Sequence, residues 1–387
     1  MIPGALDRNP QANRQNTGDA RMPFRYRPEI DGLRAVAVLA VLFCHAGFGF
    51  SGGYVGVDVF FVISGYLITA LLLRDLENSR FSMIDFWERR VRRIFPALSV
   101  VVLATILAGG VFLFSIDYQR LGQSLVTLTA IASNFYFWFN GGYFNGRDQE
   151  KAFLHTWSLS VEEQFYLFFP IGLFLLYRFL PHRRREMNLF LVLSLVTLAG
   201  LILAALIIRG GMLVAAYFLL PTRAWEMLLG SLLAALPAGY FPTHRLIREG
   251  ASWLGLGMIA AAAIFYTSET KFPGFAALPP CLGTALLIWG NASTATSGTV
   301  CGKILATRPF VAVGLISYSL YLWHWPLYAY ARYLSWDGLG VKIILFGLSF
   351  VLAALSWKYV ESPVRTKRIF GSRRSLFSFF ALTSVGF

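Results

Sequence analysis

Cysteine is scarce in this 387-residue chain. Cys44, Cys281 and Cys301 lie in or beside apolar segments and show neither a CxxC pair nor the spacing of a metal site. The sequence therefore predicts no disulfide framework and no metal. Cys44 precedes His45, but neighbouring residues of a helix do not face each other, so we do not expect a catalytic thiol there.

A cleavable signal peptide is also missing from the start of the chain. Residues 1–23 are polar and rich in Asn, Gln and Arg, with no apolar core followed by a small-residue cleavage site. We interpret them as a disordered cytosolic tail. The first apolar run then acts as an uncleaved signal anchor.

Acidic residues are few, with 20 Asp and Glu against 34 Lys and Arg, which gives a net charge of +14. The basic residues fall in short clusters between apolar runs, as the signals that orient membrane helices do. This distribution argues against a nucleic-acid-binding protein.

Apolar residues are abundant. The chain is 56% hydrophobic and 16% aromatic, and its mean hydropathy is +0.59. Several runs are long enough to cross a bilayer at about 20 residues each. The predicted fold is all-α, a polytopic membrane helical bundle. We place about ten core spans near 33–50, 54–74, 95–115, 157–180, 189–208, 213–238, 252–267, 275–291, 310–331 and 340–360, with 371–387 as the start of a further, truncated transmembrane helix.

The stretch 121–140 decides the predicted topology. If it crossed the membrane, the basic cluster PHRRRE at 181–186 and those after it would fall outside, against the positive-inside rule. We therefore expect 121–140 to re-enter or pack within the bundle. The N terminus and every basic cluster are then cytosolic.

The first two apolar runs carry ionisable residues, which are costly in a bilayer unless they are paired or hydrated. Arg34 and His45 are eleven residues apart, close to three helical turns, so they share one face about 16 Å apart along the axis. Asp58 lies in the second apolar run at about the same depth as His45 in the first. Their matching depth predicts that the two residues form an acid and base pair. Alternatively, Arg34 and Asp31 are interfacial anchors and His45 is a packing residue.

Three more ionisable residues are predicted at the same level as this pair. They are Glu162 and Glu163 in HTWSLSVEEQFY (155–166) and His324 in SYSLYLWHWP (317–326). We count all five groups within roughly 6 to 12 Å of the outer ends of four spans, as an enclosed polar site requires. Adjacent glutamates cannot share a helix face, so at most one, Glu162 by preference, faces the histidine of the first run. A helix-start role for the glutamates and an aromatic-belt position for His324 are the alternatives.

Four arginines follow the second span, in the predicted cytosolic link 75–94. Its sequence DFWERRVRRIFP could lie on anionic lipid or bind phosphates, because guanidinium groups bind phosphate bidentately. We predict that Arg34 and this cluster bind the phosphates of a cofactor or substrate. The cluster comprises Arg89, Arg90, Arg92 and Arg93.

Four residues are predicted to bind substrate. They are Asp31, Trp157, Arg223 and Glu226. The last two lie near mid-membrane, after a proline break in PTRAWE (221–226). Their spacing of three equally allows a structural ion pair.

Five stretches resemble one known family, membrane-bound acyltransferase family 3, which includes bacterial O-acetyltransferases of surface polysaccharides. The Arg-x10-His pattern of that family matches Arg34 and His45, its arginine-rich motif matches Arg89 to Arg93, and its acidic motif matches Glu162 and Glu163. The resemblance covers about 24–330, with the apolar remainder to about 370 also fitting. The stretches are RPEIDGLRAVAVLAVLFCHAG, GGYVGVDVFFVISGYLIT, FWERRVRRIFPAL, HTWSLSVEEQFYLFFP and SYSLYLWHWPL.

The resemblance implies about ten core helices over 24–370, cytosolic acetyl-CoA as acyl donor and a glycan acceptor outside the bacterial cytoplasmic membrane. Many relatives add an extracytoplasmic SGNH hydrolase-like domain through an eleventh helix, and this chain departs there. The departure leaves three options: a family member that never had the extra domain, one truncated in evolution, or one that needs a separate SGNH-type partner. The expected mechanism uses His45 as a base or acyl carrier, oriented by Asp58 or Glu162. The alternatives are a proton-coupled transporter or flippase of a lipid-linked sugar or small solute, and a structural or sensing membrane subunit.

Overall fold

The computed structural model describes residues 26–141, 146–292 and 298–386, so the predicted tail 1–23 lies outside the described residues. Within the described ranges the chain is helical and forms no strand. The helices are α1 Pro28–Ala46, α2 Gly56–Glu77, α3 Met83–Phe112, α4 Ser115–Thr129, α5 Ser133–Phe139, α6 Thr156–Phe179, α7 Arg185–Arg209, α8 Leu213–Phe218, α9 Leu220–Ala235, α10 Arg245–Phe265, α11 Leu278–Gly290, α12 Val300–Leu305, α13 Arg308–Tyr333, α14 Leu339–Ser356, α15 Ser362–Arg365 and α16 Arg373–Gly386.

Helix α1 lies in the interior of the bundle. It packs against α2, α12, α13 and α14, and its small apolar residues Ala35, Ala37, Val38 and Val41 are fully buried. Helix α2 packs along α9, which also contacts α7, and α10 packs along α11. A helix apolar on nearly all sides is expected at the centre of a bundle, and this position lets α1 present polar residues to an enclosed site.

The outer faces of the bundle are apolar. Leu195 on α7 and Ile344 on α14 are each 67% exposed, and Phe265 on α10 is 77% exposed. Five helical stretches of the described chain are long and apolar enough to cross a membrane: Gly53–Glu77, Met83–Phe112, Thr156–Phe179, His182–Arg209 and Leu339–Arg365. The chain is a multi-pass membrane protein with an all-α fold.

The stretch 121–140 is not one helix. Helix α4 ends at Thr129 and α5 begins at Ser133, and Ile131 between them has a positive φ of 57°. Fifteen residues of α4 span only about 22 Å, which is short of the hydrocarbon thickness of about 30 Å. The non-crossing interpretation of the segment stays a prediction.

Two helix boundaries differ from the predicted ones. The predicted cytosolic link 75–94 is largely helical, because α3 begins at Met83, where Ser82 caps it by accepting from the Asp85 N–H at 3.3 Å. The predicted span 213–238 is broken between α8 and α9 at Leu219, whose backbone is extended. Pro221 lies in the first turn of α9, where its missing N–H costs no helical hydrogen bond.

The last helix, α16, packs back on α3. Phe379 and Phe380 contact the ring of Phe95, and Arg373 pairs with Glu88 at 2.9 Å. The predicted transmembrane segment 371–387 therefore contributes, in its described part, a 14-residue helix that covers the arginine-rich end of α3.

Helices α2 and α9 approach each other closely through two glycines. A Cβ atom on Gly65 would lie 1.8 Å from the Met227 carbonyl oxygen, and one on Gly230 would lie 1.9 Å from that of Val62. Small residues allow membrane helices to pack this closely. The two glycines therefore set the distance between the helices that carry Asp58 and Arg223.

We predict that Gly65→Ala lowers the free energy of unfolding by about 1–3 kcal/mol, because the added methyl group has no space unless the helices separate. Thermal unfolding of the purified protein in detergent measures the effect. Gly172→Ala on α6 is the matched control, since nothing lies within 4 Å of a Cβ there. Equal melting temperatures for the two variants would contradict the packing argument.

Candidate active site

Two histidines from different helices pair in the core. His45 lies on the last turn of α1, which Gly47 ends in a left-handed conformation with φ 72°. Its Nδ1 atom lies 3.0 Å from Nε2 of His324 on α13, and the two rings stack with centroids 5.3 Å apart. His324 is fully buried.

The hydrogen bonds assign protons to this pair. His324 Nδ1 lies 3.2 Å from the carbonyl oxygen of Leu320, so it carries the proton and donates. For neutral rings, His324 Nε2 then accepts from His45 Nδ1–H, which leaves Nε2 as the basic nitrogen of His45. His324 thus holds His45 in the tautomer that a general base needs.

A third histidine completes the cluster. His155, which immediately precedes α6, is 2% exposed and packs its ring 6.1 Å from His324 and 6.1 Å from Trp325. Neither of its ring nitrogens has a hydrogen-bond partner among the described residues. His155 was not among the predicted catalytic residues, although its motif also carries the two glutamates.

A cavity of about 90 Å³ lies between α1, α2, α3, α6 and α13, next to the histidine cluster. Its basic side chains are Arg34, Arg90 and Arg93, and its acidic side chain is Glu162. It is large enough for several water molecules. The three arginines against one carboxylate favour an anionic ligand.

Glu162 has partners inside this cavity. It accepts a hydrogen bond from the Tyr166 hydroxyl at 2.5 Å and a short one from the Ser64 hydroxyl. Arg90 lies over the ring of Tyr166 at 5.7 Å, and its Nε atom is buried without a hydrogen-bond partner among the described residues. An unpaired buried donor is costly, so Arg90 fits a ligand that supplies an acceptor.

Comparison with known families identifies this architecture. The family model of an acyltransferase domain, Acyl_transf_3, matches residues 27–359, a range that includes the arginine-lined cavity and the histidine cluster. The chain belongs to the acyltransferase 3 family. No solved structure matches it.

Relatives of this acyltransferase 3 domain are named as O-acetyltransferases. The chain is 31% identical to O-acetyltransferase OatA of Staphylococcus aureus over 358 residues, which cover 89% of this chain and 58% of that protein. It is 29% identical to peptidoglycan O-acetyltransferase OatA of Listeria monocytogenes, over 89% of this chain and 57% of the relative. It is 30% identical to putative peptidoglycan O-acetyltransferase YrhL of Bacillus subtilis, over 91% of this chain and 57% of that protein. The chain thus spans less than two thirds of these relatives.

Within the acyltransferase 3 domain, Asp58 does not orient His45 as expected. It accepts from Arg223 at 2.9 Å, and Arg223 also lies 3.1 Å from Glu226. The expectation is wrong because a guanidinium in an apolar core requires a counter-ion, and the Asp58 carboxylate provides it. Glu162 likewise has Ser64 and Tyr166 as partners instead of the histidine.

Arg223 is enclosed by aromatic rings. Its guanidinium carbon lies 5.5–5.6 Å from the centroids of four rings, so Trp157 belongs to this enclosure. This enclosure agrees with a structural ion pair, the alternative for Arg223 and Glu226, and the substrate-binding role of these two residues and of Trp157 stays a prediction. The four rings are Phe61, Trp157, Tyr217 and Phe272.

The same cluster contains three potential metal ligands. One ligand atom each of Asp58, Glu226 and Cys281 lies within 4.8 Å of the others. Arg223, however, lies between the two carboxylates and pairs with both of them. We therefore assign this cluster a structural role.

The predicted phosphate-binding arginines separate into two groups. Arg90 and Arg93 line the cavity. Arg92 instead binds Glu88 at 2.9 Å and the Phe370 carbonyl oxygen at 2.7 Å, and Arg89 pairs with Asp75 at an exposed position. A helix turns about 100° per residue, so four closely spaced arginines cannot all face one cavity.

Two other predicted residues lie at the edges of the site. Glu163 lines a second, largely apolar cavity of about 300 Å³ beside α3, α4 and α16, which it shares with Arg90. Asp31 accepts from Arg34 at 3.2 Å and from the Tyr26 hydroxyl at 2.7 Å. Partial burial and the bond to Asp31 raise the pKa of Tyr26, which precedes α1, to about 12.

We predict that Arg223→Gln lowers the free energy of unfolding by about 3–5 kcal/mol, because it leaves two buried carboxylates without their cation. Chemical denaturation of the purified protein measures it. Arg120→Gln is the control, since Arg120 is 62% exposed in its ion pair and should matter by about 1 kcal/mol or less. A mild effect of Arg223→Gln would contradict the structural role.

Proposed function

We propose that this protein is an integral membrane O-acyltransferase that transfers an acetyl group from cytosolic acetyl-CoA to a hydroxyl of an extracytoplasmic, cell-envelope glycan. Family membership and the names of the relatives support the reaction class. The observation that carries the proposal is the position of an arginine-lined cavity directly beside a buried histidine pair.

The donor site in this proposal is the cavity. CoA carries several phosphate charges, and Arg34, Arg90 and Arg93 offer guanidinium groups suited to bind them. Arg90 and Arg93 lie in the first turns of α3, at a membrane side that the distribution of basic residues predicts to be cytosolic. The apolar side chains that also line the cavity, among them Phe60, Leu67 and Ile94, suit the uncharged pantetheine arm.

The chemistry centres on His45. Its Nε2 atom takes the proton from the acceptor hydroxyl as the oxygen attacks the acetyl carbonyl carbon, and the C–S bond then breaks. The CoA thiolate takes up the proton, and an O-acetyl ester remains on the glycan. Transient acetylation of the same nitrogen is the alternative route. In both, His324 orients His45 through Nδ1.

This proposal has consequences for location and partners. The domain lies in the bacterial cytoplasmic membrane in contact with lipid, with the N terminus cytosolic. The acceptor is a surface polysaccharide, peptidoglycan or lipid-linked oligosaccharide. A separate extracytoplasmic SGNH-type protein is a candidate partner for the last transfer.

We predict that His45→Ala reduces O-acetylation of envelope glycans to the level of cells without this gene, because it removes the base. NMR of extracted glycans measures the O-acetyl content, and the amount of protein in the membrane fraction verifies insertion. His182→Ala, which changes an exposed histidine before α7, should leave acetylation unchanged. Near-normal acetylation with His45→Ala would refute the mechanism.

We predict that Arg90→Gln weakens CoA binding by roughly 10- to 150-fold, the equivalent of one charge-assisted hydrogen bond of about 1.5–3 kcal/mol. Calorimetry with CoA and purified protein measures the affinity. Arg89→Gln is the matched control one residue earlier, where the side chain pairs with Asp75 outside the cavity. An equal loss of CoA affinity in both variants would show that the arginine cluster acts by general electrostatic attraction or by binding lipid.

A further inference from the structure

One side chain separates the cavity from the histidine cluster. Tyr321 on α13 lines the cavity, and its ring centroid lies 5.5 Å from that of His324 and 5.5 Å from that of His155. His324 is one helical turn further along α13. Tyr321 therefore contacts the cavity on one side and the histidines on the other.

Hydrogen bonds to α6 hold Tyr321 in this position. Its hydroxyl donates to the His155 carbonyl oxygen at 2.9 Å and lies 2.7 Å from Oγ of Ser158. The single hydroxyl proton of Ser158 is donated either to the Tyr321 oxygen or to the same carbonyl oxygen, 3.2 Å away. The three oxygens form a closed triangle that joins α13 to the start of α6.

The cavity ends at this triangle. Tyr321 and Ser158 are among its lining residues, whereas none of the three histidines is, within the described part of the chain. The cavity that Arg34 lines therefore does not reach His45 in this structure. An acetyl group would have to pass Tyr321 to travel from the cavity to His45.

We propose that Tyr321 forms a partition between the donor cavity and the histidine cluster. Ser158 holds this partition closed through its hydrogen bond to the Tyr321 hydroxyl. The role of this partition in acetyl transfer rests on the proposed function. A permanently open polar path across the membrane would admit water to the thioester and let protons leak. The closed triangle prevents both until the Tyr321 hydroxyl leaves the His155 carbonyl and Ser158.

The first test does not depend on enzymatic activity. His324→Cys places a thiol beyond the partition, and Ser64→Cys places one inside the cavity. Sealed inside-out vesicles are treated with a small, charged, membrane-impermeant thiosulfonate, and the labelling rates are compared. The parent protein, with Cys44, Cys281 and Cys301 unchanged, gives the background.

We expect Tyr321→Ala to increase the labelling rate of His324→Cys at least tenfold and to leave that of Ser64→Cys unchanged. Tyr318→Ala is the matched control, because Tyr318 lines the same cavity one turn further from the histidines and donates its hydroxyl proton to the Ile94 carbonyl oxygen. It should not accelerate the labelling of His324→Cys. Labelling of His324→Cys that is independent of Tyr321, or parallel acceleration at Ser64→Cys, overturns the proposal.

The second test measures coupling. In proteoliposomes with acetyl-CoA and no acceptor, Tyr321→Ala should raise the rate of thioester hydrolysis several-fold relative to the unaltered protein, whereas Ser158→Ala should have a smaller effect in the same direction. Tyr321→Phe keeps the ring but loses the hydrogen bonds. Its hydrolysis rate should lie between those of Tyr321→Ala and Ser158→Ala. An unchanged hydrolysis rate in Tyr321→Ala overturns the partition. An unaltered protein that transfers no acetyl group when envelope glycan is added as acceptor overturns the proposed function, while the labelling test still decides the partition.

Discussion

Ionisable side chains held away from water destabilise the bundle unless each meets an opposite charge or a hydrogen-bonding group. This constraint distributes the polar residues of the core into distinct clusters. Arg223 draws Asp58 and Glu226 into an enclosed ion pair between α2 and α9. The histidines are then free to pair with each other, and Glu162 is satisfied by hydroxyl groups inside the arginine-lined cavity.

These clusters serve different purposes in our account. The Arg223 cluster, with the close glycine contact beside it, fixes α2 against α9 and so shapes one wall of the cavity. Helix α1 connects the other two clusters, because Arg34 lines the cavity and His45 pairs with His324. Both ends of α1 face α13, and Tyr321 on α13 lies between them. Donor binding and proton transfer are thus joined along two helices and separated by one hydrogen-bonded side chain.

The sequence predicted the helical fold, and helical periodicity alone places Arg34 and His45 about three turns apart on one face of α1. It did not predict their partners. Which side chain meets His45 depends on the rotation of α1 against α13, and no pattern within either segment encodes that rotation. The adjacent arginines show the same limit. Helical periodicity requires that their side chains point in different directions, but only packing decides that Arg90 faces the cavity and that Arg92 contacts the Phe370 carbonyl oxygen. His155 was missed for a related reason, since a histidine at a helix start has many structural explanations.

In the proposed mechanism, donor binding in the cavity brings the reactive group to the edge of the histidine cluster. A cryo-EM structure of the protein with bound CoA tests it most directly. The account predicts phosphate density within hydrogen-bonding distance of Arg90 and Arg93, and the CoA sulfur against Tyr321 and Ser158. CoA bound on the outside of the bundle, or with its sulfur directed away from Tyr321, would contradict it.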